Sequence, residues 1–228
     1  MDAEVFKILQ PDLRLMSGRR GDILIDQGQA VKMVHFPVHA VLGNVLQLAD
    51  GSAVETAAVG RDSVSGLAAV FADAPIAWSV KVQVPGELWV MRADRLRQAM
   101  DGSPRLRDLL LKVTYDAQCQ SALGAACNAE HDAVQRLCKW LLLLLDRTDG
   151  NRLAMTQQEI ADLLGTERTT INGALQALRD RSAIQASRGR LEIRDRAVVE
   201  RMACECYQTQ RRWTRALGLP VEPDTTGR

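Results

Sequence analysis

The chain has 228 residues, of which 46% are hydrophobic and 25% are charged, and its formal net charge is +1. This length leaves room for two domains that each bury a core. No stretch approaches the ~18 consecutive apolar residues that a membrane-spanning helix needs. Near the N-terminus, Asp2, Glu4 and Lys7 interrupt the apolar positions, which is unlike a secretory signal. We therefore expect a cytoplasmic protein without a membrane partner.

The charge is unevenly divided along the chain. Residues 1–130 carry 13 basic and 15 acidic side chains, whereas residues 131–228 carry 16 basic and 13 acidic ones. Basic side chains make the phosphate contacts that dominate nucleic-acid affinity. The C-terminal half is therefore the better candidate for a nucleic-acid interface, although the asymmetry is modest.

The N-terminal half is predicted to begin with an amphipathic helix over residues 2–16, capped by Asp2, and to continue as strands from Gly18. Asp50-Gly51 stands between two partly alternating runs, which is a strong hairpin signal. Short strands at this spacing predict an antiparallel β-roll of the cupin-like jelly-roll type. The predicted strands are 21–25, 31–36, 41–48, 53–59 and 79–91.

From Arg92 to Arg147 the pattern is helical, and Ser103-Pro104 predicts the start of a long helix. Small side chains fill the second half of this helix, which would let another helix approach closely. We interpret it as a dimerisation helix, although a helix packed on its own domain has a similar pattern. The apolar stripe predicted for it is Leu106, Leu109, Leu110, Val113 and Ala117.

Two short helices and a hairpin are predicted near the C-terminus. Thr156 and Glu159 have the spacing of a capping box, so each can satisfy a backbone donor of the other. Gly165 would end the first helix and Thr166 would cap the second. A short hairpin follows near Gly189. This order is typical of a winged helix-turn-helix that reads DNA.

The second of these helices has one apolar and one polar face. Arg168, Thr169, Asn172 and Gln176 lie on the polar face, opposite the apolar positions. Arginine and asparagine side chains pair with guanine and adenine edges in the major groove. We therefore expect Arg168, Thr169 and Asn172 to read bases. A helix is also predicted for Arg196–Leu217.

This order of elements, with Thr156–Gly165 followed by Arg168–Ile171, resembles the CRP/FNR superfamily of bacterial transcription regulators. The resemblance covers about residues 12–207 and implies an α+β fold. It also implies a homodimer, a palindromic operator in double-stranded DNA, and RNA polymerase as a further partner. The expected domains are a β-roll sensor (1–102), a dimerisation helix (103–129), a winged helix-turn-helix (130–207) and a C-terminal tail (208–228).

The resemblance assigns roles position by position along the DNA reader. Arg168 falls on the family's base-reading arginine, so it is expected to contact guanine. Thr169 stands where readers of the cyclic-AMP-type operator have glutamate, and Gly173 stands where they have a second arginine. The half-site is therefore expected to differ from that operator.

Five residues are expected to contact the DNA backbone. Thr156, Gln157 and Gln158 match family positions that hold it. Arg188 and Arg190 in the wing are assigned phosphate contacts from their chemistry.

The β-roll departs from members of the family that bind cyclic nucleotides. Their ribose-binding glutamate follows a glycine that corresponds to Gly66, but Leu67 stands in its place here. Their phosphate-binding arginine is replaced by Trp78, beside a retained Ser79. Burying the phosphate without that arginine would cost several kcal/mol. Cyclic AMP is therefore not expected as the effector, and Leu67, Trp78 and Ser79 are candidates for either another pocket or a filled core.

No metal site and no cofactor are expected from the cysteines. The first of the five is Cys119, and iron–sulfur sensors usually have several near the N-terminus. Cys204 and Cys206 are separated by one residue, which is not the spacing of a chelating or redox pair. We expect reduced, buried thiols. His35 and His39 lie near predicted strands and leave a haem-ligand role open.

No catalytic residues are assigned, because the chain has no Walker loop, nucleophile elbow or zinc-protease helix motif. An enzyme is therefore not expected. The alternative function is a module that binds a small ligand or cyclic nucleotide and whose C-terminal domain contacts other proteins.

Overall fold

The structure is a computed structural model that describes residues 3–187 and 189–221. It begins with helix α1 (Ala3–Leu9), a 3-10 turn (Gln10–Asp12) and strand β1 (Arg14–Gly18). The helix predicted over residues 2–16 is therefore too long, because β1 pairs antiparallel with a strand more than 60 residues away. Asp2, its predicted cap, lies outside the described residues.

The N-terminal domain is an antiparallel β-roll, as predicted, made of two facing sheets. Seven strands form these sheets in the orders β1-β7-β3 and β2-β6-β4-β5. Leu42 and Val82 from one sheet and Leu88 from the other share one core between the sheets. The remaining elements are β2 (Ile23–Ile25), β3 (Met33–Pro37), β4 (Val41–Gln47), β5 (Ala53–Val59), α2 (Leu67–Ala72), β6 (Ser79–Val84) and β7 (Gly86–Arg92).

Two glycines lie at positions where the backbone requires a glycine. Gly51 has a φ of 84° in the hairpin that joins β4 to β5, which confirms the Asp50-Gly51 signal. Gly86 begins β7, and a Cβ there would lie 2.6 Å from the backbone nitrogen of Ala40. This close approach leaves no room for a side chain.

Helix α3 (Ala93–Gly102) leads into the long helix α4 (Pro104–Glu130). The Ser103 side chain accepts a hydrogen bond from the Leu106 backbone nitrogen and caps α4. The predicted interface stripe is wrong, because Leu106, Leu110 and Val113 are buried in a core shared with the β-roll. The large apolar side chains that α4 exposes are instead Leu111 and Tyr115.

The C-terminal domain begins at α5 (Ala133–Leu145), whose N-terminus carries a capping box between Asp132 and Gln135. Leu141 of α5, Ile171 and Leu191 lie in one core that joins the helices to a three-stranded sheet of order β8-β10-β9. The other elements are β8 (Arg152–Leu153), α6 (Gln157–Leu164), α7 (Arg168–Arg179), β9 (Ile184–Ser187), β10 (Arg190–Ile193), α8 (Arg196–Met202) and α9 (Cys206–Ala216).

The single helix predicted for Arg196–Leu217 is divided in two, because α8 ends at Met202 and α9 begins at Cys206. Residues 208–216, which we assigned to a tail, belong to α9, which packs back against α4 and α5. The Thr214 hydroxyl donates a 2.7 Å hydrogen bond to Asp116 of α4. No helix in the described part of the chain is both long and apolar enough to span a membrane.

The two domains are joined by ion pairs as well as by packing. Arg147, just after α5, donates hydrogen bonds of 2.8–3.1 Å to both carboxylate oxygens of Asp62 in the β-roll. Arg20, in the turn after β1, forms a 2.7 Å ion pair with Glu159 of α6. Helix α6 also packs against β5, and Val54 approaches Gly165. The β-roll therefore contacts the first helix of the DNA reader directly.

Candidate nucleic-acid interface

The first helix of the reader, α6, is fixed by the capping box that the sequence predicts. The Thr156 hydroxyl accepts from the Glu159 backbone nitrogen at 3.2 Å, and the Thr156 backbone nitrogen donates to the Glu159 carboxylate at 2.7 Å. Met155 and Ile160, which lie on either side of the cap, are both buried in the domain core. The N-terminal turn of α6 therefore has a defined orientation.

The turn between the two helices differs from the prediction at its second cap. Gly165 has φ and ψ of 59° and 47°, the left-handed conformation expected of a glycine that ends a helix. Thr166 is not the cap of α7; the cap position is Glu167, whose side chain makes no capping hydrogen bond. The Glu167 carboxylate instead accepts a 3.2 Å hydrogen bond from the Thr169 hydroxyl.

Helix α7 separates apolar and polar side chains as predicted. Arg168, Thr169, Asn172 and Gln176 are all exposed. Within residues 3–187 and 189–221, the exposed side chain of Arg168 makes no hydrogen bond or ion pair, so its guanidinium is available to a ligand. The opposite face is buried in the domain core and consists of Ile171, Ala174, Leu175 and Leu178.

Residues predicted to contact DNA surround one cleft of about 570 Å³ between α6, α7 and the wing strands β9 and β10. Its polar lining includes Thr156, Gln157, Gln158, Arg168, Arg179 and Arg190.

Two contacts define this cleft further. The Gln157 side-chain amide donates to the Asn172 side-chain oxygen at 3.4 Å, which links a predicted backbone contact to a predicted base reader. Arg179 was not predicted, but it lies three helical turns after Arg168 and periodicity alone would have placed it on the same face. Arg188, a predicted phosphate contact, lies outside the described residues.

The effector candidates in the β-roll occupy packed positions. Leu67 is 3% exposed and lies in the core shared with α4. The Trp78 ring packs against the core between the sheets. The Ser79 hydroxyl accepts a 3.1 Å hydrogen bond from the Gln27 backbone nitrogen. Gly66 has a φ of 75°, and a Cβ there would lie 2.9 Å from Val31. The packing of Leu67 corresponds to a filled core rather than a ribose-binding surface.

The two histidines near strands have protein partners. His35 is 4% exposed, its Nδ1 lies 2.9 Å from the Ser65 hydroxyl, and burial lowers its pKa to about 4. His39 is exposed and its Nδ1 lies 2.7 Å from the Asp149 carboxylate. Both imidazoles are therefore already engaged within the protein.

The cysteines are arranged in a way that their spacing did not predict. Cys127, His131, Cys204 and Cys206 bring one ligating atom each within 4.8 Å of one another. The expectation from the cysteine spacing did not anticipate this grouping of side chains. It compared neighbours along the chain, whereas the return of α8 and α9 to the end of α4 brings the two pairs together.

Two family models match the chain. A cyclic nucleotide-binding domain matches residues 16–103 and a Crp-like helix-turn-helix domain matches residues 135–202. The β-roll, the long helix and the exposed face of α7 correspond to these two matches in the same order. The fold and the site thus define a regulator with a sensor-type β-roll and a DNA-binding helix-turn-helix. The chain belongs to the CRP/FNR superfamily of bacterial transcription regulators.

Solved structures share the fold at low sequence identity. FixK2 from Bradyrhizobium japonicum has a TM-score of 0.69 and 16% identity, over 84% of this chain and 98% of that one. CLP from Xanthomonas campestris, described as a c-di-GMP-responsive global regulator, has a TM-score of 0.67 and 16% identity, over 84% and 99%. A CRP-family transcriptional regulator from Thermus thermophilus, TTHB099, has a TM-score of 0.66 and 17% identity, over 82% and 96%. A comparison with curated proteins finds no significant match.

Proposed function

We propose that this regulator acts as a homodimer, inserts α7 into the major groove of a palindromic operator, and responds to a signal other than cyclic AMP. The observation that carries the proposal is the exposed polar face of α7 beside the arginine-lined cleft. In this proposal the protein is a cytoplasmic regulator rather than an enzyme, and RNA polymerase is its further partner on DNA.

Base reading is assigned to the first turns of α7. Arg168 has the fork of donors that pairs bidentately with guanine, and Asn172 can pair with adenine. Thr169 offers a hydroxyl and a methyl group to the neighbouring position. Gly173 is exposed and carries no side chain that could reach a base. These side chains support an operator that differs from the cyclic-AMP-type operator. Proteins that read that operator have glutamate where Thr169 stands and a second arginine where Gly173 stands.

Backbone contacts are assigned to the rest of the cleft. Thr156, Gln157 and Gln158 stand at the N-terminus of α6, where backbone amides and the helix dipole favour a phosphate. Arg190 on β10 and Arg179 on α7 add positive charge to the same cleft. Arg188 joins this set on its chemistry and its position in the sequence.

The proposed dimer interface is a second stripe along α4, distinct from the one predicted. Leu111 and Tyr115 are 47% and 55% exposed, unusually high for large apolar side chains. Further exposed residues follow Leu111 and Tyr115 along the helix at alternating spacings of three and four residues. This spacing is typical of the residues that meet in a parallel coiled coil. Small residues in the second half permit close approach. The exposed stripe is Leu111, Tyr115, Gln118, Ala122, Ala125 and Ala129.

The assignment of the signal depends on the packing around α2. A cyclic nucleotide needs a carboxylate for its ribose and a guanidinium for its phosphate, but Leu67 and Trp78 hold those positions. Leu67 is buried against the core, so its side chain could leave that position only by opening a cavity. Isothermal calorimetry with cyclic AMP should therefore give no binding heat.

Selection of DNA from a random pool tests the proposal. We expect enrichment of a palindrome whose half-sites lie about 10–10.5 bp apart or a multiple of this. Arg168→Ala should weaken binding by about 5- to 150-fold per half-site, corresponding to ~1–3 kcal/mol, and should relax preference at one base pair. Arg95→Ala, which removes an exposed arginine of α3, is the matched control and should leave both unchanged.

Three outcomes would contradict parts of the proposal. No enriched palindrome would favour the alternative in which the C-terminal domain contacts proteins. Unchanged base preference in Arg168→Ala would remove that residue as a reader. Tight binding of cyclic AMP would refute the interpretation of Leu67 and Trp78.

A further inference from the structure

Four side chains with metal-ligating atoms meet where the long helix ends. Cys127 lies in the last turn of α4, and His131 is the residue that caps its C-terminus. Cys204 lies between α8 and α9, and Cys206 begins α9. Their ligating atoms all lie within 4.8 Å of one another. Two segments that are more than 70 residues apart thus contribute two ligating atoms each.

The separations of these atoms agree with a tetrahedral metal centre. Zinc–sulfur bonds of about 2.3 Å and zinc–nitrogen bonds of about 2.0 Å in a tetrahedron place two sulfurs about 3.8 Å apart and sulfur and nitrogen about 3.5 Å apart. Here Cys127 Sγ and Cys204 Sγ are 3.6 Å apart, and Cys206 Sγ and His131 Nδ1 are 3.7 Å apart. An iron–sulfur cluster would require a wider set, because its iron and sulfide atoms lie between the ligands.

The histidine is oriented as a ligand would be. His131 Nδ1 faces Cys206, whereas Nε2 lies 3.2 Å from the carboxylate of Glu205. A metal-bound histidine characteristically donates its other N–H to a carboxylate or carbonyl, which fixes the ring and its tautomer. Glu205 is placed for this role by its position between the two cysteines.

Burial and charge fit a structural ion. Cys127, Cys204 and Cys206 are 0%, 4% and 4% exposed, so a bound ion would have little contact with water. Three thiolates and a divalent cation leave one negative charge. The ammonium group of Lys139 on α5 lies beside Cys127 and offsets it.

We propose that Cys127, His131, Cys204 and Cys206 form a tetrahedral Cys₃His site for one Zn²⁺ ion per chain. Four protein ligands leave no open position, which is the pattern of a structural rather than a catalytic zinc site. The ion would fasten the end of α4 to the junction of α8 and α9. Since His131 is the first residue after α4, the site would hold the reader domain against the dimerisation helix.

The experiment measures zinc in the full-length protein purified from zinc-supplemented medium without chelator. We expect about one zinc ion per chain. Cys127→Ser and Cys204→Ser should each lose most of it. Cys119→Ser is the matched control, because Cys119 lies on the same helix outside the four-residue set, and it should keep its zinc.

Cobalt replacement keeps the test independent of how the variants fold. Wild-type protein stripped with a chelator and titrated with Co²⁺ should develop the intense visible bands of tetrahedral cobalt with thiolate charge-transfer absorption, ending at about one equivalent. A protein that takes up neither metal would overturn the proposal. Equal zinc in Cys204→Ser and wild type, an iron–sulfur spectrum, or a Cys127–Cys204 disulfide in the protein isolated under argon would overturn it as well.

Discussion

The ion pair between Asp62 and Arg147 is expected to be a principal link between the two domains. Arg147 is 3% exposed and Asp62 is 26% exposed, and their hydrogen bonds are 2.8–3.1 Å long. Removing one partner of a buried pair costs about 3–5 kcal/mol because a charge is left without compensation. Because Asp62 is partly exposed, we expect Asp62→Asn to lower the free energy of unfolding by about 3 kcal/mol, the lower end of this range.

Urea unfolding followed by tryptophan fluorescence measures this loss. Asp62→Asn should shift the midpoint to lower urea with a similar slope, whereas Asp62→Asn combined with Arg147→Met should recover part of the loss. Asp94→Asn is the matched control, since Asp94 pairs with Arg92 on the exposed surface, and its midpoint should hardly change. Equal shifts in Asp62→Asn and Asp94→Asn would refute the reasoning.

Three further predictions test other parts of the molecule. Burial raises the pKa of Glu55 from 4.5 to about 7, so its contribution to stability is present below pH 4.5 and is lost as the pH rises through about 7. As the pH rises from 4.5 to about 7, thermal unfolding should show that Glu55→Gln gains up to about 3 kcal/mol in free energy of unfolding relative to wild type. A difference that stays constant with pH would contradict the raised pKa of Glu55. Tyr115→Glu should halve the mass measured by light scattering, and a persistent dimer would place the interface elsewhere. Gly86→Ala should cost about 1–3 kcal/mol in the same unfolding assay because its methyl group meets backbone, whereas Gly102→Ala, with open space, should not.

The DNA reader was predictable because its signals are local. The capping box of Thr156 and Glu159 and the left-handed conformation of Gly165 each involve residues within one or two turns of chain. The polar face of α7 follows from helical periodicity alone. Thr166 was wrongly assigned as a cap because threonine is a favoured cap residue, whereas the path of the turn starts the helix one residue later, after Glu167.

Features that depend on distant parts of the chain were not predictable. Strand β1 has an apolar pattern compatible with a helix, and its pairing with β7 decides the outcome. The stripe of Leu106, Leu110 and Val113 was assigned to the dimer because periodicity shows that a face is apolar but not what covers it. The cysteine and histidine set required knowledge that α9 returns to α4.

Helix α5 is held at both ends, and this constrains how a signal can pass from the β-roll to DNA. Its C-terminal end is tied to the β-roll through Arg147, and its capping residue Asp146 accepts hydrogen bonds from Arg196, Tyr207 and Arg211. Its N-terminal end follows directly from His131. Because α5, α8 and α9 are fastened to one another, the reader domain should move as a body rather than by bending within α5. In the proposed function, a signal sensed by the β-roll would therefore act on the contacts between the domains, at Asp62, at the Arg20–Glu159 ion pair or at the face where α6 meets β5.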